Sequence, residues 1–248
     1  MMSEQVLGTI PHRSPLFKPL PRLYANFEKI SVICRAPKEA VRRVLPAPLE
    51  YVSDIIEVFA YRCPEVHDLA APEAGPRSYL ESGIVLQAAV DGVMGGHVAY
   101  EYVTTDDAMA PGREIWGYPK KLADVDWQKD SEALTSRTVR RGNTLIDIEF
   151  TAGPNSYEKP VLQPRIQIKR IPRADGVGYD AHQIVLNSLG KWTLFETVPG
   201  TAKVKLGGQE TMDPLFELGP LEILGAEKIR AEFELAYGRV FKDLGPSE

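Results

Sequence analysis

Twenty prolines and twenty glycines are spread along the 248 residues, and they cut the chain into apolar runs too short for long helices. What lies between them mostly alternates. Residues 27–35 place Ile30, Val32 and Cys34 on one face, as a half-buried strand does. Residues 55–62, 165–171, 183–187, 201–206 and 228–237 also read as strands. Two hairpins are marked by their turns: 83–90 and 93–103 flank Asp91-Gly92, and 134–140 and 145–151 flank Gly142-Asn143. One short helix fits, opened by Pro37, carrying an apolar stripe of Ala40, Val41, Val44 and Leu45, and stopped by Pro46. Without strand–helix–strand alternation, a doubly wound parallel sheet is not expected. The pattern predicts one continuous, mainly antiparallel β unit of the α+β class over residues 1–248, with 1–19 as an N-terminal arm and 152–164 as a loop.

Hydrophobic residues at 44% and charged residues at 25% fit an ordinary globular protein with a substantial core. The formal net charge of −5 argues against a general nucleic-acid or anionic-membrane binder. No run of about 18 apolar residues is present to span a membrane as a helix. Met1-Met2-Ser3-Glu4-Gln5 lacks the basic-then-apolar order of a secretory signal, so the expected location is cytoplasmic. Cys34 and Cys63 are then expected as buried thiols rather than a disulfide.

The motifs of common enzyme classes are missing. His12, His67, His97 and His182 have no metal-ligand spacing, and the cysteines do not pair as Cys-x-x-Cys. There is no Gly-x-Gly-x-x-Gly after a strand, no phosphate-binding loop and no Gly-x-Ser-x-Gly. What stands out is Gly112-Arg113-Glu114-Ile115-Trp116-Gly117-Tyr118-Pro119-Lys120-Lys121-Leu122, where two lysines follow an aromatic, glycine- and proline-fixed segment. An ordinary lysine has a pKa near 10.4, so about one in 2,500 is a neutral amine at pH 7. A drop of roughly three units makes a quarter to a third neutral, and burial or a second ammonium can supply it. If the segment is extended, Lys120 and Lys121 point to opposite faces, and burial has to supply most of that shift.

This Gly-Arg-Glu-x-x-Gly-Tyr-Pro-Lys-Lys-Leu block resembles the signature of the acetoacetate decarboxylase family. The resemblance runs from about residue 20 to 244. It includes Val44-Leu45-Pro46-Ala47-Pro48-Leu49-Glu50, Tyr79-Leu80-Glu81-Ser82-Gly83, Asp213-Pro214-Leu215 and Ala236-Tyr237-Gly238-Arg239-Val240. It implies a cone-like β-barrel with a few short helices, homo-oligomers, a small keto acid as substrate, and neither metal nor organic cofactor. It also implies that Lys120 is the Schiff-base lysine, Glu81 the acid beside it and Lys121 a neighbour that modulates it. The family's lysine is the standard example of an amine activated by desolvation or a second cation. At the family's first-strand pocket arginine this chain aligns Phe27, and neither Arg22 nor Arg35 takes that position.

Arg113 is a candidate carboxylate clamp or else part of an ion pair fixing the loop, and Glu114 reads the same way as an acid. Glu101, two positions after Ala99 as His97 is two before, is a spare acid if that face lines the pocket and a solvent-facing residue if not. Tyr118 is a candidate pocket wall. Trp116 and Trp127 are expected in the core. The implied reaction is decarboxylation of a β-keto acid through an iminium on Lys120. The missing arginine shifts weight to a bulkier keto acid or to Schiff-base aldol, dehydration or cyclisation chemistry. A non-catalytic small-molecule binder is the third possibility, and Lys120 with Glu81 argues against it.

Overall fold

The computed structural model describes residues 9–130 and 133–245, so the first eight residues of the expected arm, Met1–Gln5 among them, lie outside it. Its elements are β1 (Arg22–Arg35), α1 (Lys38–Val44), β2 (Glu50–Asp68), β3 (Arg77–Val90), β4 (Val93–Val103), α2 (Asp106–Pro111), a single π-helical turn (Gly112–Trp116), β5 (Lys120–Leu122), β6 (Asp124–Val125), β7 (Gln128–Lys129), β8 (Leu134–Arg140), β9 (Asn143–Ala152), β10 (Arg165–Pro172), β11 (Tyr179–Asn187), β12 (Leu189–Leu206), β13 (Glu222–Leu235) and β14 (Arg239–Asp243). The strands join in one sheet in the order β14-β11-β10-β4-β3-β2-β1-β13-β12-β9-β8-β6, with β5 beside β4 and β7 beside β8. Pairing is antiparallel except at β4–β5 and at one pair between β4 and β10. Among the described residues β14 and β6 end the ladder without meeting, so the sheet curls but does not close and the barrel is an approximation.

Hairpin β3–β4 turns at Asp91 and Gly92, whose φ angles of 45° and 80° match the mirror-image turn that fits strand twist. The β8–β9 turn falls one residue earlier than expected. Its two positive-φ residues are Arg141 and Gly142, and Asn143 already belongs to the strand. Strand β2 runs far past the expected 55–62 and carries Pro64, tolerated where the register with β3 slips between Cys63 and Val66. Residues 153–164 form no regular element, as expected of the loop.

The main core lies on one side of the sheet, where Ile30, Val32, Ile56, Ile84, Ile146 and Ile148 are fully buried. Such side chains stabilise the fold by about 1.5–3 kcal/mol each. The apolar stripe of α1 and Trp127 pack against this core. Cys34 and Cys63 are free, buried thiols, and no described helix is long and apolar enough to cross a membrane. The opposite face of β1–β4 lines a cavity.

Candidate active site

The lysine segment is assembled by short-range geometry. Helix α2 stops at Pro111, and the widened turn after it ends on Gly117 in the left-handed region at φ 77°. A Cβ on Gly117 would lie 2.9 Å from the backbone nitrogen of Lys169, so both conformation and space require glycine. The Gly112 carbonyl accepts a hydrogen bond from the Tyr118 amide at 2.8 Å, and Pro119 then holds the chain extended into β5. A Cβ on Gly112 would come within 2.5 Å of Lys120 Cδ. The two glycines of the signature therefore set the turn and leave room for the lysine stem.

Strand β5 runs parallel to β4, pairing Lys120 with Glu101 and Lys121 with Tyr102. Alternation sends Lys120 into the cavity and Lys121 to the other side. There Lys121 pairs with Asp213, which also accepts from Tyr102 Oη at 3.0 Å and from Arg140 at 3.1 Å. Burial raises the Asp213 pKa, but the bonds from Lys121 and Tyr102 outweigh it and hold the carboxyl below its ordinary range.

In the cavity, Lys120 Nζ donates to Glu81 Oε2 at 2.5 Å and lies 5.8 Å and 5.7 Å from the rings of Tyr79 and Tyr118. Lys120, Glu81 and Glu101 are 6%, 0% and 4% exposed, which makes this a nearly dry cluster. Glu101 reaches it through a β-bulge. Ile84 pairs with Tyr100 but Val85 pairs with Val98, so Ala99 is the extra residue and resets the alternation. Glu101 and Val98 line the cavity. His97 faces away, its Nδ1 donating to the Ile166 carbonyl at 2.9 Å, with burial pushing its pKa down to about 4. The shared face that plain spacing suggests for His97 and Glu101 is thus corrected by the bulge.

The electrostatics also differ from expectation. Burial pushes the Lys120 pKa down, but Glu101 and Glu81, the latter also through its direct hydrogen bond, outweigh it and raise it above the ordinary lysine value. A proton on Glu101 removes that group's share and leaves Glu81 as the partner of the ammonium. The raised pKa favours the ammonium form of Lys120 over an amine kept neutral by desolvation. Glu101 is raised well above the carboxylate range, first by burial and then by the charge of Glu81, against the pull of Lys120. Glu81 Oε1 and Glu101 Oε2 are both buried and face no donor among the described residues. One ammonium and two carboxyl groups in a dry space balance when Glu101 keeps its proton and offers it to Glu81.

The cavity has a volume of about 530 Å³, within the usual range for small-molecule sites. Phe27 and Tyr118 line it, Phe27 packing on Tyr61 and Phe233 at 5.1 Å ring separations. Trp116 is core, with Nε1 donating to the Ala236 carbonyl, and also touches the cavity. Arg113 does not line it. The turn aims this exposed side chain at the backbone, where it donates to the Lys120 carbonyl at 3.2 Å and so positions the lysine strand. Glu114 is exposed near Lys169. Arg22 is buried against Asp68, and Arg35 is exposed against Asp54 and Glu222.

Several polar residues of the cavity wall were not picked out from the sequence. Lys29 and Ser31 follow Phe27 at strand spacing and face the same way, a signal that the alternation carried. Glu57 precedes Phe59 and Tyr61 in the same manner. Arg165 arrives from β10 through its parallel pair with Gly96, and nothing local announces it. Among the described residues, no group of three or more histidine, cysteine, aspartate or glutamate side chains could hold a metal ion.

The acetoacetate decarboxylase (ADC) family model matches residues 9–244. The chain is 30% identical over 240 residues to acetoacetate decarboxylase 3 of Mesorhizobium japonicum, covering 94% of this chain and 90% of that one. Its fold is similar to a solved acetoacetate decarboxylase, with a TM-score of 0.85 at 24% identity over 99% of this chain and all of the other. It is also similar to the enduracididine biosynthesis enzyme MppR, solved with the condensation product of pyruvate and imidazole 4-carboxaldehyde. That match has a TM-score of 0.80 at 17% identity over 94% of each chain.

Proposed function

Because this chain belongs to the acetoacetate decarboxylase family and is an enzyme of its carboxy-lyase type, we propose that it decarboxylates a β-keto acid to a ketone and carbon dioxide through a Schiff base on Lys120. The observation that carries this is the buried trio of Lys120, Glu81 and Glu101, of which Lys120 and Glu101 line a largely apolar cavity.

The sequence of steps follows from the charge state. Glu81 takes a proton from the Lys120 ammonium, and the freed amine attacks the ketone carbon. The carbonyl oxygen leaves as water once protonated, giving an iminium cation. The bond to the carboxylate then breaks, its electron pair moves toward the iminium nitrogen, and carbon dioxide departs from an enamine. Glu101 protonates the enamine carbon. Water hydrolyses the new iminium, releasing the ketone, the Lys120 amine and one proton. A second proton taken up from solvent restores the Lys120 ammonium and the Glu101 acid with Glu81 ionised, since the net reaction consumes one proton. Activation thus comes from a proton acceptor 2.5 Å away rather than from a lowered resting pKa.

An alternative reaction on the same lysine is aldol condensation and dehydration of a keto acid. Phe27 in place of a pocket arginine and two acids beside Lys120 favour it, since dehydration needs a second proton transfer, and MppR is a fold neighbour holding a condensation product. Incubation with acetoacetate, or with pyruvate plus an aldehyde, followed by borohydride separates the two. Mass added at Lys120 with carbon dioxide release supports decarboxylation, and mass with only condensed product supports the alternative. Carbon dioxide release that survives Lys120→Ala overturns the lysine mechanism. Assembly into homo-oligomers and a cytoplasmic location belong to the same proposal. Assembly is supported by the apolar Trp192, Leu194 and Phe195 exposed along β12.

A further inference from the structure

We propose that the cavity holds a second, anion-binding subsite apart from the Lys120–Glu81 pair, formed by Lys29, Arg165 and Tyr157 around Glu57, and that the substrate is a β-keto acid ending in a second carboxylate. This assignment rests on the decarboxylase function proposed above and narrows it to a substrate class.

The subsite is built rather than incidental. Glu57 is buried and accepts from Lys29 Nζ at 2.6 Å, Ser31 Oγ at 2.5 Å and Arg165 at 3.3 Å. Arg165 also donates to the Leu162 carbonyl at 2.9 Å. One carboxylate therefore answers two cations, which leaves one positive charge in excess at a wall of the cavity. At the rim Lys159 and Glu227 pair at 2.7 Å and cancel. Tyr157 Oη is buried there with no acceptor among the described residues. Burial, with Glu227 and Glu57 nearby, raises its pKa, so it remains a donor. The end is rich in donors and short of acceptors. A group that only accepts and carries a single negative charge satisfies both conditions, and a carboxylate is such a group.

Register sets the spacing. Lys29 pairs with Tyr61, which pairs with Glu81, so two strand spacings, about 10 Å, separate the backbones of Lys29 and Glu81. Phe27, Phe59 and Tyr61 form an apolar wall between the two polar ends. Acetoacetate has only the carboxylate that is lost and so nothing to place at the Lys29–Arg165 end, whereas a methylene chain laid on the aromatic wall carries a second carboxylate toward it. The division of labour is physically sensible. Arg165, although its charge reaches Glu101, is held on the Glu57 side by its hydrogen bonds to Glu57 and the Leu162 carbonyl, and Phe27 supplies no cation beside Glu81. Binding energy from the remote carboxylate then holds the reacting end in that unfavourable place.

Levulinate and methyl propyl ketone share one carbon skeleton and differ by a terminal carboxylate for a methyl, and each resembles the ketone product. Calorimetry should give levulinate a Kd lower by about tenfold or more, as a charge-assisted contact implies. That advantage should shrink severalfold in Tyr157→Phe, which removes one hydroxyl, and disappear in Lys29→Met. Levulinate binding no more tightly than the ketone, or an advantage unmoved in both variants, overturns the subsite. Turnover adds a second arm, with β-ketoadipate expected to exceed β-ketohexanoate in kcat/KM by a similar factor, and parity overturning the substrate class. Failure of every keto acid to give a borohydride adduct at Lys120 defeats the decarboxylase proposal instead, and the Kd comparison decides the subsite without it.

Discussion

Lys120 and Lys121 are joined by one peptide bond and answer to carboxyl groups on opposite sides of the sheet. Lys120 meets Glu81 and Glu101, and Lys121 meets Asp213. A second ammonium on the far face adds little to the field at Lys120 next to two carboxyl groups inside the cavity. Lys121→Met is therefore expected to leave the rate of borohydride trapping at Lys120 within about threefold. It should cost at most about 1 kcal/mol of stability, because the lysine is partly exposed. A large loss of trapping would instead give Lys121 a direct role. Glu101→Gln keeps the shape and removes the proton, so kcat is expected to fall by about 10²–10⁴-fold while iminium trapping persists. Its raised pKa also has a stability sign. Above the ordinary carboxylate range the folded state holds a proton that the unfolded chain has released, so wild-type stability declines as pH rises through that window. Melting curves of Glu101→Gln should lack that decline.

At the scale of elements, the site depends on irregularities within regular strands. The bulge at Ala99 re-aims β4, and another slip in β1 between Tyr24 and Phe27, where Asn26 has φ 53°, lets both aromatic side chains reach the cavity. The turn between α2 and β5 matters as much. Gly112 has ordinary helical angles, so alanine is acceptable to the backbone there, but its Cβ meets the Lys120 stem. Gly112→Ala is expected to fold and to lose at least about tenfold in kcat/KM through displacement of the amine, measured alongside the trapping rate. Gly117→Ala strains the backbone itself and should lower stability by about 1–3 kcal/mol in denaturant titration. A normal trapping rate in Gly112→Ala would remove the steric role assigned to that glycine.

For the whole molecule, the cavity is also a reservoir of acid sensitivity. Burial raises the Glu57 pKa, but Lys29 and Arg165 outweigh it and hold the group at about 2. A depressed carboxyl pKa contributes stability above the unfolded value, lost as pH falls from about 4.5 to about 2. The gross size is roughly 3 kcal/mol. The burial-lowered pKa of Lys29 takes part of it back throughout that range. Glu57→Gln is expected to melt lower at neutral pH, with two cations left short of a partner, and to show a flatter acid limb. Light scattering tests assembly, with a mass above one chain expected and a reduction on placing glutamate at Phe195.

Alternation, turn residues and proline placement marked the centres of the long strands, both hairpins and α1, because these are local preferences of a few consecutive residues. By contrast, β6, β7, β14 and the full extents of β2 and β12 depend on their pairing partners. The signature block likewise marked Lys120, and a second landmark marked Glu81. Strand parity by itself put Lys120 and Lys121 on different faces. Only the tertiary structure decided which carboxyl groups surround Lys120 and so the direction of its pKa shift, because Glu101 and Glu81 arrive from neighbouring strands. It alone placed Glu101 in the cavity, through an extra residue at Ala99 that shows in pairing and not in composition. It alone brought Arg165 from β10 to the side of Lys29 and Glu57 on β1 and β2. Proximity between distant segments is fixed by how the sheet curls, and no stretch of sequence encodes that locally.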